Sequence, residues 1–210
     1  MLHASWYRCQ GLIDMETKLI EKRISEHIEV AHALQGDKKL LAQVQQCADA
    51  ILSAYEKGGK LILMGNGGSA ADAQHIAAEF LGRYMLERKP KPAIALTTNT
   101  SNLTAIGNDY GYDLVFKRQL EGWLAPNDVV LGISTSGNSA NIVKAFEYAK
   151  EKGAFTIALV GKKPCKLDSL ATVSLKIPSE STPRIQEMHI FLAHYLCEYV
   201  EAGLVKKGLA

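Results

Sequence analysis

Apolar residues along this chain follow two rhythms, and the switches between them mark its elements. From Met15 the run METKLIEKRISEHIEVAHAL places Leu19, Ile20, Ile24, Ile28 and Val30 mostly at helical intervals. A second helical run extends from about Lys38 to Glu56 and stops at Lys57-Gly58-Gly59. Two helices in series with no strand between them predict an N-terminal helical hairpin. After it the pattern changes to short apolar runs. KLILMG at 60–65, AIALTT at 93–98, VVLGIS at 129–134, Phe155–Val160 and Val173–Ile177 each read as a buried strand. Helical stretches separate them: an Ala-rich one reaching about Tyr84, then Ser101–Gly107, Tyr112–Trp123 and the amphipathic Ser139–Lys152. A long last helix runs from Arg184 to about Leu204, with Ile185, Met188, Leu192, Leu196 and Val200 on one face. This alternation predicts an α/β fold with a parallel sheet covered on both faces. Apolar residues of the hairpin and last helix, Ile20, Ile24, Ile28, Leu192 and Leu196 among them, exceed what one sheet face covers. The surplus predicts a closed, symmetric oligomer. Residues 1–14 have weak periodicity and read as a poorly ordered N-terminal extension, leaving 15–210 as one domain.

Composition narrows the function classes. The chain has 210 residues, 47% hydrophobic and 22% charged, as in an ordinary globular domain rather than a disordered, collagenous or coiled-coil chain. Lys+Arg 24 against Asp+Glu 22 leaves a formal charge of +2, too weak a field to favour nucleic acid as a partner. No apolar run approaches the ~20 residues of a membrane span. The start, MLHASWYRCQGLIDME, lacks the basic, apolar and small-residue parts of a secretory signal, which predicts a cytoplasmic protein. Cys9, Cys47, Cys165 and Cys197 show no CxxC spacing and read as reduced thiols.

Candidate chemistry gathers at the carboxyl edge of the predicted sheet, where open parallel sheets bind ligands. Two turns there are rich in Gly, Ser and Asn: Asn66-Gly67-Gly68-Ser69 and Ser134-Thr135-Ser136-Gly137-Asn138-Ser139. Each leads into a helix, so free backbone N–H groups and serine hydroxyls suit a phosphate monoester. Taken singly, either turn reads equally well as a helix cap; two on one edge favour phosphate. Neither has the lysine of a nucleotide-triphosphate loop. After the first turn, Asp72, His75 and Glu79 share one helix face, and His75 with Glu79 offers either a metal-ligand pair or an acid/base pair. In the last helix Arg184, Gln186, Glu187, His189 and His194 interrupt an apolar strip. Gln186 and His194 lie ~12 Å apart along a helix, so one small ligand meets both only if their side chains lean together. His189 reads as a satisfied core group. Gly107-Asn108-Asp109-Tyr110-Gly111 reads as a turn, or as an Asn/Asp pair for sugar hydroxyls.

Four blocks together, GNGGSAADAQHIAAEF at 65–80, LTAIGNDYG at 103–111, GISTSGNSANIVKA at 132–145 and RIQEMHIFLAH at 184–194, resemble the phosphoheptose isomerases of the sugar-isomerase (SIS) domain proteins. The likeness spans residues 15–205 in unbroken order. It implies a five-stranded, flavodoxin-like parallel sheet assembled as a homotetramer. It also implies isomerisation of sedoheptulose 7-phosphate to D-glycero-D-manno-heptose 7-phosphate, the entry to heptose synthesis for lipopolysaccharide and other surface glycans. By motif match, one zinc per subunit falls to His75, Glu79, Gln186 and His194, and the proton-transfer pair is Glu79 and His194. Substrate contacts carry over to Asn66, Gly67, Gly68, Ser69, Asn108, Asp109, Ser134, Thr135, Ser136 and Ser139, together with Glu79, Gln186 and His194. The alternative is a similar group of non-catalytic SIS-domain adaptors that bind a replication-initiation protein. Those lack the Glu and the second His that stand here as Glu79 and His194.

Overall fold

The computed structural model describes the backbone of residues 2–209 and the side chains of residues 17–209. The expected order of residues 1–14, and Cys9 with them, lie outside the described side chains. Helices α1 (Leu2–Gly36) and α2 (Lys38–Glu56) precede β1 (Leu61–Gly65), α3 (Gly68–Leu81) and β2 (Ala93–Ala95). Then come α4 (Thr100–Tyr110), a 3-10 turn at Tyr112–Leu114, α5 (Val115–Trp123), β3 (Val129–Ile133) and α6 (Ala140–Glu151). β4 (Phe155–Gly161), α7 (Leu167–Leu170), β5 (Val173–Ile177) and α8 (Thr182–Lys206) complete the chain. The strands form one parallel sheet in the order β2-β1-β3-β4-β5, the flavodoxin-like winding.

Alternation along each strand builds the two faces. Leu61, Leu63, Leu131, Leu159 and Leu175 point into one core with α2, α3 and α8, while Ile62, Met64, Val130, Ala158 and Val160 point into the other with α5 and α6. The central strands β1 and β3 are buried at every position, and the edge strand β5 alternates. Ile142, Phe146 and Ala149 of α6 are fully buried, as their spacing predicts. Asp37 separates the first two helices by accepting a hydrogen bond from Leu40 N at 2.9 Å. α1 is tied to α8 as well: His27 Nδ1 meets Glu187 Oε2 at 2.8 Å, and Arg184 Nη1 donates to Arg23 O at 2.6 Å.

Four expectations need correction. The second strand is only Ala93–Ala95, because the chain turns where the Thr98 hydroxyl donates to Ala95 O at 3.1 Å. Gly107–Tyr110 is no turn: it continues α4, which ends only at Gly111, a residue at φ +87°. Leu192 and Leu196 are not surplus, since both are buried under the sheet; Ile20, Ile24 and Ile28 remain about half exposed. His189 is buried, but neither ring nitrogen makes a well-formed hydrogen bond, and the Val160 backbone acts on it only weakly.

That last group makes a measurable demand on the fold. Burial pushes the His189 imidazole down from 6.5 to about 4, against a weaker upward pull from the Val160 backbone. The unfolded chain therefore takes up the proton first as pH falls. Stability is whole above pH 6.5 and declines by roughly 3 kcal/mol as pH falls towards 4. Urea unfolding of the wild type and of His189→Leu across this range should diverge by about that amount. Parallel curves would show that His189 is not buried in neutral form.

Candidate active site

The two Gly/Ser/Asn turns lie side by side at the carboxyl edge of β1 and β3. Asn66 and Asn141 join them through a reciprocal amide pair, with N···O distances of 3.0 and 2.9 Å, and the Tyr112 hydroxyl donates to Asn66 Oδ1 at 3.3 Å. α3 and α6 both begin without a side-chain cap, at Gly67 and Ser139, whereas Asp37 and Asn99 cap α2 and α4. Uncapped starts leave N–H donors and the positive helix end for an anion. Gly65 permits the first turn: a Cβ there would stand 2.3 Å from Ser69 O. In the second turn the Ser134 hydroxyl lies 3.1 Å from Ser139 Oγ and 3.5 Å from Ser136 Oγ, and accepts from Gly137 N at 3.1 Å. Thr135 O accepts from Gly161 N at 3.1 Å, which fixes the turn to β4.

A second set of groups forms where α8 lies along α3. The contacts follow the same order on both helices. Gln186 reaches Gly68, where an added Cβ would lie 2.7 Å from its amide nitrogen. His194 Nε2 stands 3.0 Å from His75 Nε2, and His75 Nε2 stands 3.3 Å from Glu79 Oε1. Glu201 reaches the backbone just beyond α3, at Tyr84, Met85 and Leu86. Gly68, which has no side chain, allows this approach at the start of α3. Glu79 is the more sheltered of the pair at 23% exposure, against 49% for the His75 side chain. Asp72 shares this face, and burial raises its carboxyl pKa against the opposing charges of His75 and His194.

Of the residues singled out from sequence, the structure joins His75, Glu79 and His194. Asn66, Gly67, Gly68, Ser69, Ser134, Thr135, Ser136 and Ser139 form the paired turns, and Gln186 stands at the first of them. Asn108 and Asp109 stand at the exposed end of α4, where Asn108 Nδ2 donates to Asp109 Oδ1 at 2.8 Å. Sequence reasoning missed Asn141, Tyr112 and Tyr84, whose ring centroid lies 5.7 Å from that of His194. Asn141 carried a signal, being a buried polar residue one position into a helix that opens on a serine-rich turn.

Fold and site define a sugar-phosphate isomerase domain, and the family model for the SIS domain matches residues 27–161. The phosphoheptose isomerase of Citrifermentans bemidjiense is 53% identical over 189 residues, 90% of this chain and 97% of that protein. That of Sulfurimonas denitrificans is 48% identical over 192 residues, 91% of this chain and 98% of that protein. The solved phosphoheptose isomerase of Neisseria gonorrhoeae matches with a TM-score of 0.82 at 40% identity, covering 89% of this chain and 98% of its own. The corresponding structure from Francisella tularensis gives 0.85 at 33% identity, covering 89% of this chain and 98% of its own. This chain belongs to the phosphoheptose isomerases of the SIS family, enzymes of heptose-phosphate isomerisation.

Proposed function

We propose that the chain interconverts sedoheptulose 7-phosphate and D-glycero-D-manno-heptose 7-phosphate, supplying heptose for surface glycans such as lipopolysaccharide. The observation that carries this reading is the meeting of His75, Glu79 and His194 along the helix that starts at the paired turns. His75 lies seven positions after Gly68 in α3, a rise of ~10 Å that suits an extended sugar phosphate. The turns hold the phosphate by neutral hydroxyl and backbone donors. Asn108 and Asp109 are assigned to the sugar hydroxyls. Glu79 as carboxylate takes the proton from C1 of the ketose, which leaves an enediol, and returns it at C2. His194 moves the accompanying proton between the two oxygens. Reactant and product are isomers, so no external oxidant or reductant enters.

Zinc is part of the proposal. Tetrahedral ligands ~2.0–2.1 Å from an ion stand ~3.3 Å apart, close to the 3.0 and 3.3 Å spacings around His75 Nε2. Two imidazole Nε2 atoms facing each other at hydrogen-bond distance share a proton or a cation. Among the described residues no three His, Cys, Asp or Glu side chains are already placed to hold a metal ion, so His75, Glu79 and His194 would have to close up around one. His75, Glu79, Gln186 and His194 are the residues assigned to hold it. Bound there, it supplies Lewis-acid polarisation of the sugar oxygens.

Assembly completes the proposal. Leu19, Ile20, Ile24 and Ile28 of α1 and Phe191 of α8 remain exposed, and a hollow of about 440 Å³ opens between these helices beside Ala31, Leu41 and Met188. A homotetramer that buries this face is the assembly we assign, with active sites near subunit boundaries and no requirement for nucleic acid or membrane. No described helix is long and apolar enough to cross a membrane. A cytoplasmic location accords with a phosphorylated substrate.

Incubation with sedoheptulose 7-phosphate, followed through the anomeric proton signals, should show conversion to the aldose. Glu79→Gln should lower kcat by about 10²–10⁴-fold with substrate affinity little changed. Absence of conversion by the wild type, together with tight binding to a replication-initiation protein, would support the adaptor reading instead. Protein purified without chelator should scatter light as a tetramer and carry about one zinc per subunit. Chelation should lower its turnover and added zinc restore it. A fully active monomer would contradict the assembly, and unchanged turnover in metal-free protein would contradict the role of zinc.

A further inference from the structure

Arg88 and Glu201 form an ion pair whose side chains are 1% and 2% exposed, with 2.9 Å between Nε and Oε1. Neither residue lies in the paired turns or in the His75–Glu79–His194 group. Their remaining hydrogen bonds all run to one short stretch of backbone. Glu201 accepts from Tyr84 N at 2.8 Å, Met85 N at 2.6 Å and Leu86 N at 2.7 Å. Arg88 Nη1 donates to Phe80 O at 2.8 Å and Lys89 O at 3.1 Å. Arg88 Nη2 donates to Glu79 O at 2.7 Å.

The guanidinium thus covers carbonyls at the end of α3, where helices leave acceptors unpaired and carry negative partial charge. One of those carbonyls belongs to Glu79 itself. Backbone donors at the end of α3 are Gly82 N to Ala78 O at 2.8 Å and Lys91 N to Phe80 O at 2.9 Å, and neither reaches Glu79 O. On its other side the clamp grips the backbone of Tyr84, whose ring faces His194 at 5.7 Å. A buried ion pair is an inefficient source of stability, because desolvation consumes most of its Coulomb gain. Its distinctive product is fixed geometry, and here the geometry fixed is that of the turn bearing Glu79.

We propose that Arg88 and Glu201 are positioning residues for the isomerisation, holding the Glu79 turn of α3 and the Tyr84 ring in place against His194. This rests on the reading of Glu79 as the proton-transfer carboxylate. A displacement of about 1 Å at a reacting group is enough to cost ~10²-fold in rate.

A double-mutant cycle of Arg88→Lys with Glu79→Gln tests it. Arg88→Lys keeps the charge opposite Glu201 and removes the donor to Glu79 O. It should fold, lower kcat by about tenfold to hundredfold and leave KM nearly unchanged. In the Glu79→Gln background it should lower kcat by no more than about twofold, because there is no carboxylate left to misplace. Equal losses in both backgrounds would mean a merely structural role and would overturn the proposal. So would wild-type turnover in Arg88→Lys beside an impaired Glu79→Gln, which overturns the clamp alone. A wild type without isomerase activity, or an unimpaired Glu79→Gln, would overturn the reading of function and this inference with it. Should Arg88→Lys fail to fold, Glu201→Gln takes its place in the same cycle and is judged by the same outcomes.

Discussion

The chemistry of this molecule depends on how closely α8 lies along α3. Gln186 meets Gly68, His194 meets His75, and Glu201 meets the backbone just past Leu81, in the same order on both helices. Gly68, which has no side chain, makes that approach attainable at the start of α3. A side chain there would displace Gln186 from the first turn. The sheet supports both partners: α3 leaves directly from β1, while α8 packs its Leu192, Leu196 and Val200 stripe beneath the strands. Groups far apart in the chain, from α3 and α8, thereby become one site.

The same economy holds at the sheet edge. Instead of a lysine-bearing phosphate loop, two short turns leave their helices uncapped, and the Asn66–Asn141 amide pair keeps them side by side. Neutral donors of this kind suit a phosphate that must enter and leave at each turnover, whereas a buried cation would hold it longer. The ionic interaction that is fully buried, Arg88 with Glu201, sits at the other end of α3, away from these turns. Charge is spent on geometry there, not on substrate.

Much of this was legible in the sequence, and the rest failed for identifiable reasons. Short apolar runs and helical spacing revealed the five strands and the long last helix, because burial on both faces of a parallel sheet leaves unbroken apolar runs. Gly, Ser and Asn after the first and third strands marked the turns because only such residues combine tight backbone with free donors. Boundaries were less secure. AIALTT reads as six strand residues, yet only Ala93–Ala95 form the strand: Leu96 N still donates to Leu63 O at 2.9 Å and its side chain fills the second core, but the chain then turns at Thr98. Gly107 looked like a stop, but an internal glycine costs a helix only ~1 kcal/mol, and the residue needing positive φ is Gly111. Periodicity assigns each residue a face of its own helix but says nothing of its partner across the fold. For that reason the His75–His194 contact, the Asn66–Asn141 pair and the reach of Arg88 to Glu79 could not be read from spacing. His189 shows the converse: its face was legible, and the lack of a well-formed hydrogen bond was not.

Glu79 keeps 23% of its side chain exposed, so a proton it takes from the sugar can exchange with water before it is returned. Running the isomerisation of sedoheptulose 7-phosphate in D2O and reading the product by NMR tests the proton-transfer account directly. The account predicts deuterium at C2 of the aldose from the earliest product onward. An aldose that retains full protium at C2 throughout conversion would contradict it, since the hydrogen would then have passed between the carbons without reaching water.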